Sequence, residues 1–397
     1  EHKTRIKGNV HYVGVNDRNK HRFEGMWPLP YGVSYNSYLI DDEMVALVDT
    51  VDICYFEVYL RKIKQVIGER PINYLIINHM EPDHSGSIRL IKQHYPEIII
   101  VGNKQTFGMI EGFYGVTGEQ YLVKEGDFLA LGHHKLRFYM TPMVHWPETM
   151  MTFDETDGVL FSGDGFGCFG TVDGGFLDTR INVDKYWGEM VRYYSNIVGK
   201  YGSPVQKALQ KLGGLPISAI CSTHGPVWTE NISRVIGIYD RLSRYDADEG
   251  VVIVYGSMYG NTEQMAEAIA AELSAQGIRN IVMHNVTKSH PSYILADIFR
   301  YKGLIVGSPT YSNQIFPEVE SLLSKILVRE LKGRYLGYFG SFTWAGAAVK
   351  RMAEFAEKSK FELVGDPVEM KQAMQDITYT QCENLARAMA DRLKKDR

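Results

Sequence analysis

Four cysteines are few for a chain of 397 residues, and they are scattered as Cys54, Cys168, Cys221 and Cys382. None pairs as CxxC, which excludes a zinc ribbon, a rubredoxin-type iron site or a cysteine-held iron–sulfur cluster on these residues. Their spacing also gives no disulfide framework. Excess charge is equally scarce: a formal net charge of -4 leaves no electrostatic footprint for nucleic acid. No apolar run reaches the roughly 18 residues of a membrane span, and no signal-peptide pattern opens the chain. A cytoplasmic protein with reduced thiols is therefore expected. Internal repeats and low-complexity segments are absent too.

What remains is a chain with 45% hydrophobic residues, long enough for two cores. Its halves differ in rhythm. The first has short β-rich runs separated by turns: YNSYLI (35–40), VALVDT (45–50), INYLIIN (72–78), EIIIVG (97–102), KLRFYMT (135–141), GVLFSGD (158–164) and ISAICST (217–223). The polar stretch SRYDADEG (243–250) reads as a linker, giving expected domains at 1–248 and 249–397. Beyond it strands and helices alternate. VVIVYG (251–256), GLIVG (303–307) and YLGYFG (335–340) read as strands, with helices at 262–277, near 317–332 and near 381–395. Continuous apolar strands alternating with amphipathic helices predict a doubly wound parallel sheet.

The stretch NHMEPDHSG (78–86) carries His79, Glu81, Asp83 and His84 where a strand gives way to a loop, with Pro82 and Gly86 discouraging a helix. On extended backbone residues i and i+2 point the same way, so His79 and Glu81 can reach one metal. Asp83 and His84 point elsewhere and suit a second. Three more candidates follow β-runs: His145 in TPMVHWPETM, Asp164 in LFSGDGFG and His224 in CSTHGPVW. A lone histidine after a strand is an ordinary surface hydrogen-bonding residue, and His94, His133 and His134 are set aside on that ground.

The order HxExDH, then His, Asp and His, with VDT upstream, resembles the metallo-β-lactamase fold, whose hydrolases usually show HxHxDH. Glu81 stands where the second His would be, and a hard carboxylate oxygen there shifts preference from zinc toward iron. With a flavodoxin-like second half, the chain is similar over essentially its whole length to the flavodiiron proteins. The resemblance implies an N-terminal metallo-β-lactamase-like αββα sandwich and a C-terminal flavodoxin-like sheet. It further implies that His79, Glu81 and His145 bind one iron, that Asp83, His84 and His224 bind the other, and that Asp164 bridges them. Near the irons it points to Glu24 in RFEGMW (22–27), where the family often has His, and to a pocket tyrosine, Tyr194 beside Tyr193.

Between VVIVYG and its helix lies GSMYGNTEQMA (256–266), small and hydroxylic residues that can surround a phosphate at a helix N-terminus. This loop is neither GxGxxG nor GK[ST]. It resembles the flavodoxin phosphate loop, with Ser257, Tyr259, Asn261 and Thr262 as phosphate contacts beside Met258 and Gly260. Two more strand-end loops agree: Pro309, Thr310, Tyr311 and Asn313 in one, and Ser341, Phe342, Thr343, Trp344, Ala345 and Gly346 in the other. Trp344 is placed to lie along an isoalloxazine face, so FMN is the expected cofactor.

The resemblance implies reduction of dioxygen to water, or of nitric oxide to nitrous oxide, at two non-haem irons fed by FMN. The expected donor is a separate rubredoxin, or else a reduced deazaflavin coenzyme. The expected assembly is a head-to-tail homodimer or a dimer of dimers. A zinc-dependent hydrolase carrying a flavodoxin domain is the main rival, and Glu81 speaks against it. A simple electron carrier would have no use for seven metal ligands.

Overall fold

The run INYLIIN condenses to a strand at Tyr74–Ile76, and each of the other six expected β-runs of the first half also contains a strand, trimmed at its ends. These belong to a computed structural model that describes residues 3–397. It divides into two units, the first ending at Asp240 and the second running Arg241–Arg397.

In the first unit a seven-stranded sheet has the order Arg5–Lys7, Val10–Tyr12, Tyr38–Ile40, Ala46–Val48, Tyr74–Ile76, Ile99–Gly102, Gln120–Leu122. A five-stranded sheet follows: Phe128–Ala130, Lys135–Met140, Met150–Asp154, Val159–Gly163, Ala219–Ser222. The two face each other through one apolar cluster, with Val48, Ile76 and Val101 from the first meeting Leu136, Phe138 and Phe161 from the second. Alternation along each strand supplies these inward side chains. Helices cover the sandwich. Phe56–Ile67 buries Phe56, Tyr59, Ile63 and Ile67, an apolar stripe at helical spacing.

The chain leaves Tyr74–Ile76, Val159–Gly163 and Ala219–Ser222 with the expected ligands just beyond each strand end. One expectation fails here. Pro82 does not prevent a helix; it opens a short turn, Pro82–Ser85. At the first helical position its fixed φ is favourable and its missing N–H costs nothing.

The second unit is a parallel sheet ordered Ile281–Asn285, Asp248–Tyr255, Tyr301–Tyr311, Tyr335–Phe342, with an edge split into Glu362–Leu363 and Val368–Lys371. In chain order this is 2-1-3-4-5, the flavodoxin-like arrangement. Residues 251–254 are fully buried. The strand begins at Asp248, which pairs with Tyr301 ahead of a register shift, while helix Ile232–Ser243 ends the element before it. The irregular link is therefore only residues 244–247, shorter than the polar composition suggested. Among the described residues no helix is long and apolar enough to cross a membrane.

Candidate metal centre and flavin cradle

Seven buried side chains converge at the strand ends of the sandwich. Glu81 Oε2 lies 3.5 Å from His79 Nε2 and 3.0 Å from His145 Nε2. Asp164 Oδ2 is 3.1 Å from both of those imidazole nitrogens. The other oxygen, Asp164 Oδ1, is 2.9 Å from His84 Nε2 and 3.6 Å from His224 Nε2. Asp83 Oδ2 completes that second group, 3.2 Å from each of the same two nitrogens. The seven expected ligands thus fall into two groups, His79–Glu81–His145 and Asp83–His84–His224, with Asp164 reaching both.

Surrounding residues hold the rings by their far sides. Glu148, wholly buried, puts Oε1 2.7 Å from His79 Nδ1 and accepts from Met80 N at 2.9 Å. His224 Nδ1 lies 2.7 Å from the Ser34 carbonyl. The VDT segment braces the loop: Asp49 accepts from Asn78 N, and Thr50 donates to the His84 carbonyl. Such partners fix which nitrogen is presented inward. The sequence reading missed Glu148, although an acid three residues after a candidate ligand was the available signal.

Electrostatics show what the cluster needs. Burial alone would lower the imidazole pKa values, but the enclosed carboxylates overcome it and raise both His84 and His145 to about 9. Burial works against Glu81 ionising too, yet the His145 and His79 rings beside it hold its carboxyl far below the usual range. Without metal the site draws protons onto His84 and His145, supplying positive charge that bound cations would provide.

At the strand ends of the second unit a cavity of about 630 Å³ is lined by 14 of the 16 residues expected around the flavin, joined by Ser312 and Gln372. Ser257 Oγ accepts from Gly260 N at 3.1 Å, shaping the turn into helix Asn261–Ala275. Thr310 Oγ1 accepts from Ala347 N and Ala348 N at 3.0 and 3.1 Å, tying two of the loops together. The two expected residues outside the lining are glycines. Gly260 sits at φ 96°, where a side chain would be strained. A Cβ on Gly346 would lie 2.8 Å from Glu369 Oε2. Trp344 and Tyr259 are each 89% exposed, so neither packs as an ordinary turn aromatic.

Two family models match the chain, ODP family beta lactamase over residues 33–225 and flavodoxin over residues 253–384. The anaerobic nitric oxide reductase flavorubredoxin of Vibrio vulnificus is 33% identical over 368 residues, 90% of this chain and 73% of that protein. Among solved structures, rubredoxin oxygen:oxidoreductase from Desulfovibrio gigas is 31% identical, with TM-score 0.93 over 98% of this chain and 97% of that one. The flavodiiron protein from Giardia intestinalis is 27% identical, with TM-score 0.91 over 98% and 97%. The chain belongs to the flavodiiron family. As a member it carries a diiron site in its first unit and FMN in its flavodoxin unit.

The residues fit both groups. His79 Nε2, Glu81 Oε2 and both Asp83 carboxylate oxygens are buried without a hydrogen-bond partner, as ligand atoms awaiting a metal would be. The flavodiiron pocket tyrosine needs correction. Tyr193, not Tyr194, places its ring against a ligand, 5.6 Å from that of His224. Tyr194, the next residue, turns away to Tyr239 at 5.2 Å, since consecutive residues on a helix face different sides. The Tyr193 hydroxyl is itself buried and unpartnered. Glu24 occupies a tight turn at φ 52°, its Oε1 accepting from Trp27 Nε1 at 3.3 Å. Though it is solvent-exposed, crowding by the protein and then the charge of Glu81 push its carboxyl up to about 7. His134, set aside as a surface residue, is buried in an acidic nest instead, while His133 is exposed.

Proposed function

We propose that this chain reduces a small diatomic oxidant, dioxygen to water or nitric oxide to nitrous oxide. The carrying observation is the division of Asp164, whose Oδ2 faces His79 and His145 at 3.1 Å while Oδ1 lies 2.9 Å from His84. One carboxylate positioned for two ions is the arrangement of a two-metal site. Iron pair and flavin together supply electrons singly or in pairs: four with four protons for each O2, or two with two protons for each pair of NO.

The chain's own residues bind, orient and enclose. His79, Glu81 and His145 would hold one ion, Asp83, His84 and His224 the other, and Asp164 both. Glu81 offers oxygen where a zinc hydrolase would offer imidazole, which favours this reading over hydrolysis. Tyr193 keeps water from the His224 side. Glu24, with its carboxyl at about 7, can hold a proton beside Glu81 near neutrality. In the second unit Ser257, Tyr259, Asn261 and Thr262 bind the flavin phosphate, and Trp344 covers the ring. Electrons enter from an external donor, a rubredoxin or a reduced deazaflavin coenzyme. The working assembly is a head-to-tail homodimer, alone or as a dimer of dimers, in a cytoplasmic setting.

The names of the Vibrio and Desulfovibrio relatives differ in oxidant, so the test uses both gases. Iron-loaded, FMN-reduced protein is prepared anaerobically and then given O2 or NO under otherwise identical conditions, and consumption is followed amperometrically. Wild type should consume at least one of them. Asp164→Ala should lose that activity and its metal while retaining flavin. Tightly bound zinc with no consumption of either gas after iron reconstitution refutes the proposal.

A further inference from the structure

The end of the sandwich away from the iron ligands carries another group of metal-ligating atoms. His134, Asp154 and Asp157 each offer one ligand atom, all within 4.8 Å of one another. Asp154 and Asp157 precede strand Val159–Gly163, whereas Asp164 follows it. Five strand residues, about 16 Å, separate this cluster from the iron ligands.

We propose that His134, Asp154 and Asp157 form a separate site for a divalent cation of the zinc type. His134 Nε2 lies 2.9 Å from Asp157 Oδ2 and 3.8 Å from Asp154 Oδ2. Ligands bound at about 2.0–2.2 Å around one tetrahedral ion stand roughly 3.4 Å apart, between these values. Orientation agrees. Asp42 Oδ2 sits 2.8 Å from His134 Nδ1, and Asp42 is itself held by the amides of His133 and His134. Nδ1–H donating to the Asp42 carboxylate leaves the Nε2 lone pair facing Asp154 and Asp157, the carboxylate–histidine–metal arrangement.

The deciding observation is Asp154. Its side chain is fully buried, Oδ1 accepts from Thr156 N at 3.0 Å, and Oδ2 has no hydrogen-bond partner. Glu81 and Asp83 in the iron site show the same orphaned oxygens. A protonated His134 between Asp42 and Asp157 would satisfy those two carboxylates but leave Asp154 Oδ2 buried and uncompensated. A cation gives that oxygen a partner and offsets three clustered carboxylates. Access lies through Asp157, whose side chain is 21% exposed, leaving a fourth position for water. Gly8 keeps the space open, since a Cβ there would come within 2.3 Å of Asp157 Oδ2.

The test uses the full chain with irons and FMN in place, dialysed against zinc chloride and desalted, with iron and zinc counted in one sample. Wild type should hold about two irons and one zinc per chain. Asp154→Asn and Asp157→Asn should each keep the irons and lose zinc at least tenfold. The Asp157 variant changes a partly exposed side chain, so it decides the matter even if Asp154→Asn misfolds. No zinc on wild type, or equal zinc on wild type and Asp157→Asn, overturns the proposal. The iron count in the same sample separates that failure from a failure of the diiron reading.

Discussion

Glu148 holds His79 from behind: its Oε1 lies 2.7 Å from His79 Nδ1, deep in the sandwich and on the side away from Glu81 and Asp164. The bond sets the imidazole tautomer and raises its basicity toward a metal. Glu148→Ala should therefore weaken iron binding roughly 10- to 100-fold while leaving flavin content unchanged. Glu148→Gln, which keeps an acceptor oxygen, should recover part of the loss. Chelator competition measures both, and an unchanged affinity in the alanine variant would refute the positioning role.

Metal loading should release protons. With His84 and His145 each raised to about 9, both rings are charged at pH 7 in metal-free protein and must deprotonate to bind. These two groups alone contribute about two protons per chain, and apparent metal affinity should climb with pH until about 9. The stability these imidazolium groups give the metal-free fold is complete below their ordinary pKa of about 6.5 and is lost as pH rises through about 9. A pH-stat record during metal addition checks the first point. No proton release at pH 7 would mean that the carboxylates do not hold these rings charged.

Trp344 stands 89% exposed at the flavin cavity, with no packing duty of its own. Trp344→Ala should weaken FMN binding by roughly 1–3 kcal/mol, by analogy with base–aromatic stacking. Fluorescence titration of the flavin-free protein measures the change, and the iron content should not move. Equal affinities would place Trp344 outside the flavin site.

A head-to-tail dimer makes two inactive variants complement each other. One lacks the metal site (Asp164→Ala with His145→Ala), the other the flavin site (Thr262→Trp with Trp344→Ala). Random subunit exchange makes about half the dimers mixed, each with one working pair of two, so roughly a quarter of wild-type activity should return. Zero recovery after demonstrated exchange would show that electrons stay within one chain.

The clustering of the candidate metal ligands was legible because four occur within six residues and the rest sit beyond recognisable β-runs. The flavin loops were legible because hydroxylic residues followed apolar strands. Other features depend on three-dimensional packing that periodicity does not carry. Which of two adjacent tyrosines faces the ligands depends on how their helix is rotated against the sheets, and it is Tyr193. Edge strands such as Gln120–Leu122, exposed at every position and only three residues long, left no alternation to read. His134 looked like any histidine after a turn, because its partners Asp42 and Asp157 are distant in sequence.

Each half of the iron ligand set draws on both sheets. His79 and Glu81 follow a strand of the seven-stranded sheet, while His145 and Asp164 come from the five-stranded one. Asp83 and His84 are likewise matched by His224 from the opposite layer. Two ions held this way would act as rivets through the edge of the sandwich. Stripping them should loosen that rim first, so the reaction centre would also be the fastener of the domain that houses it.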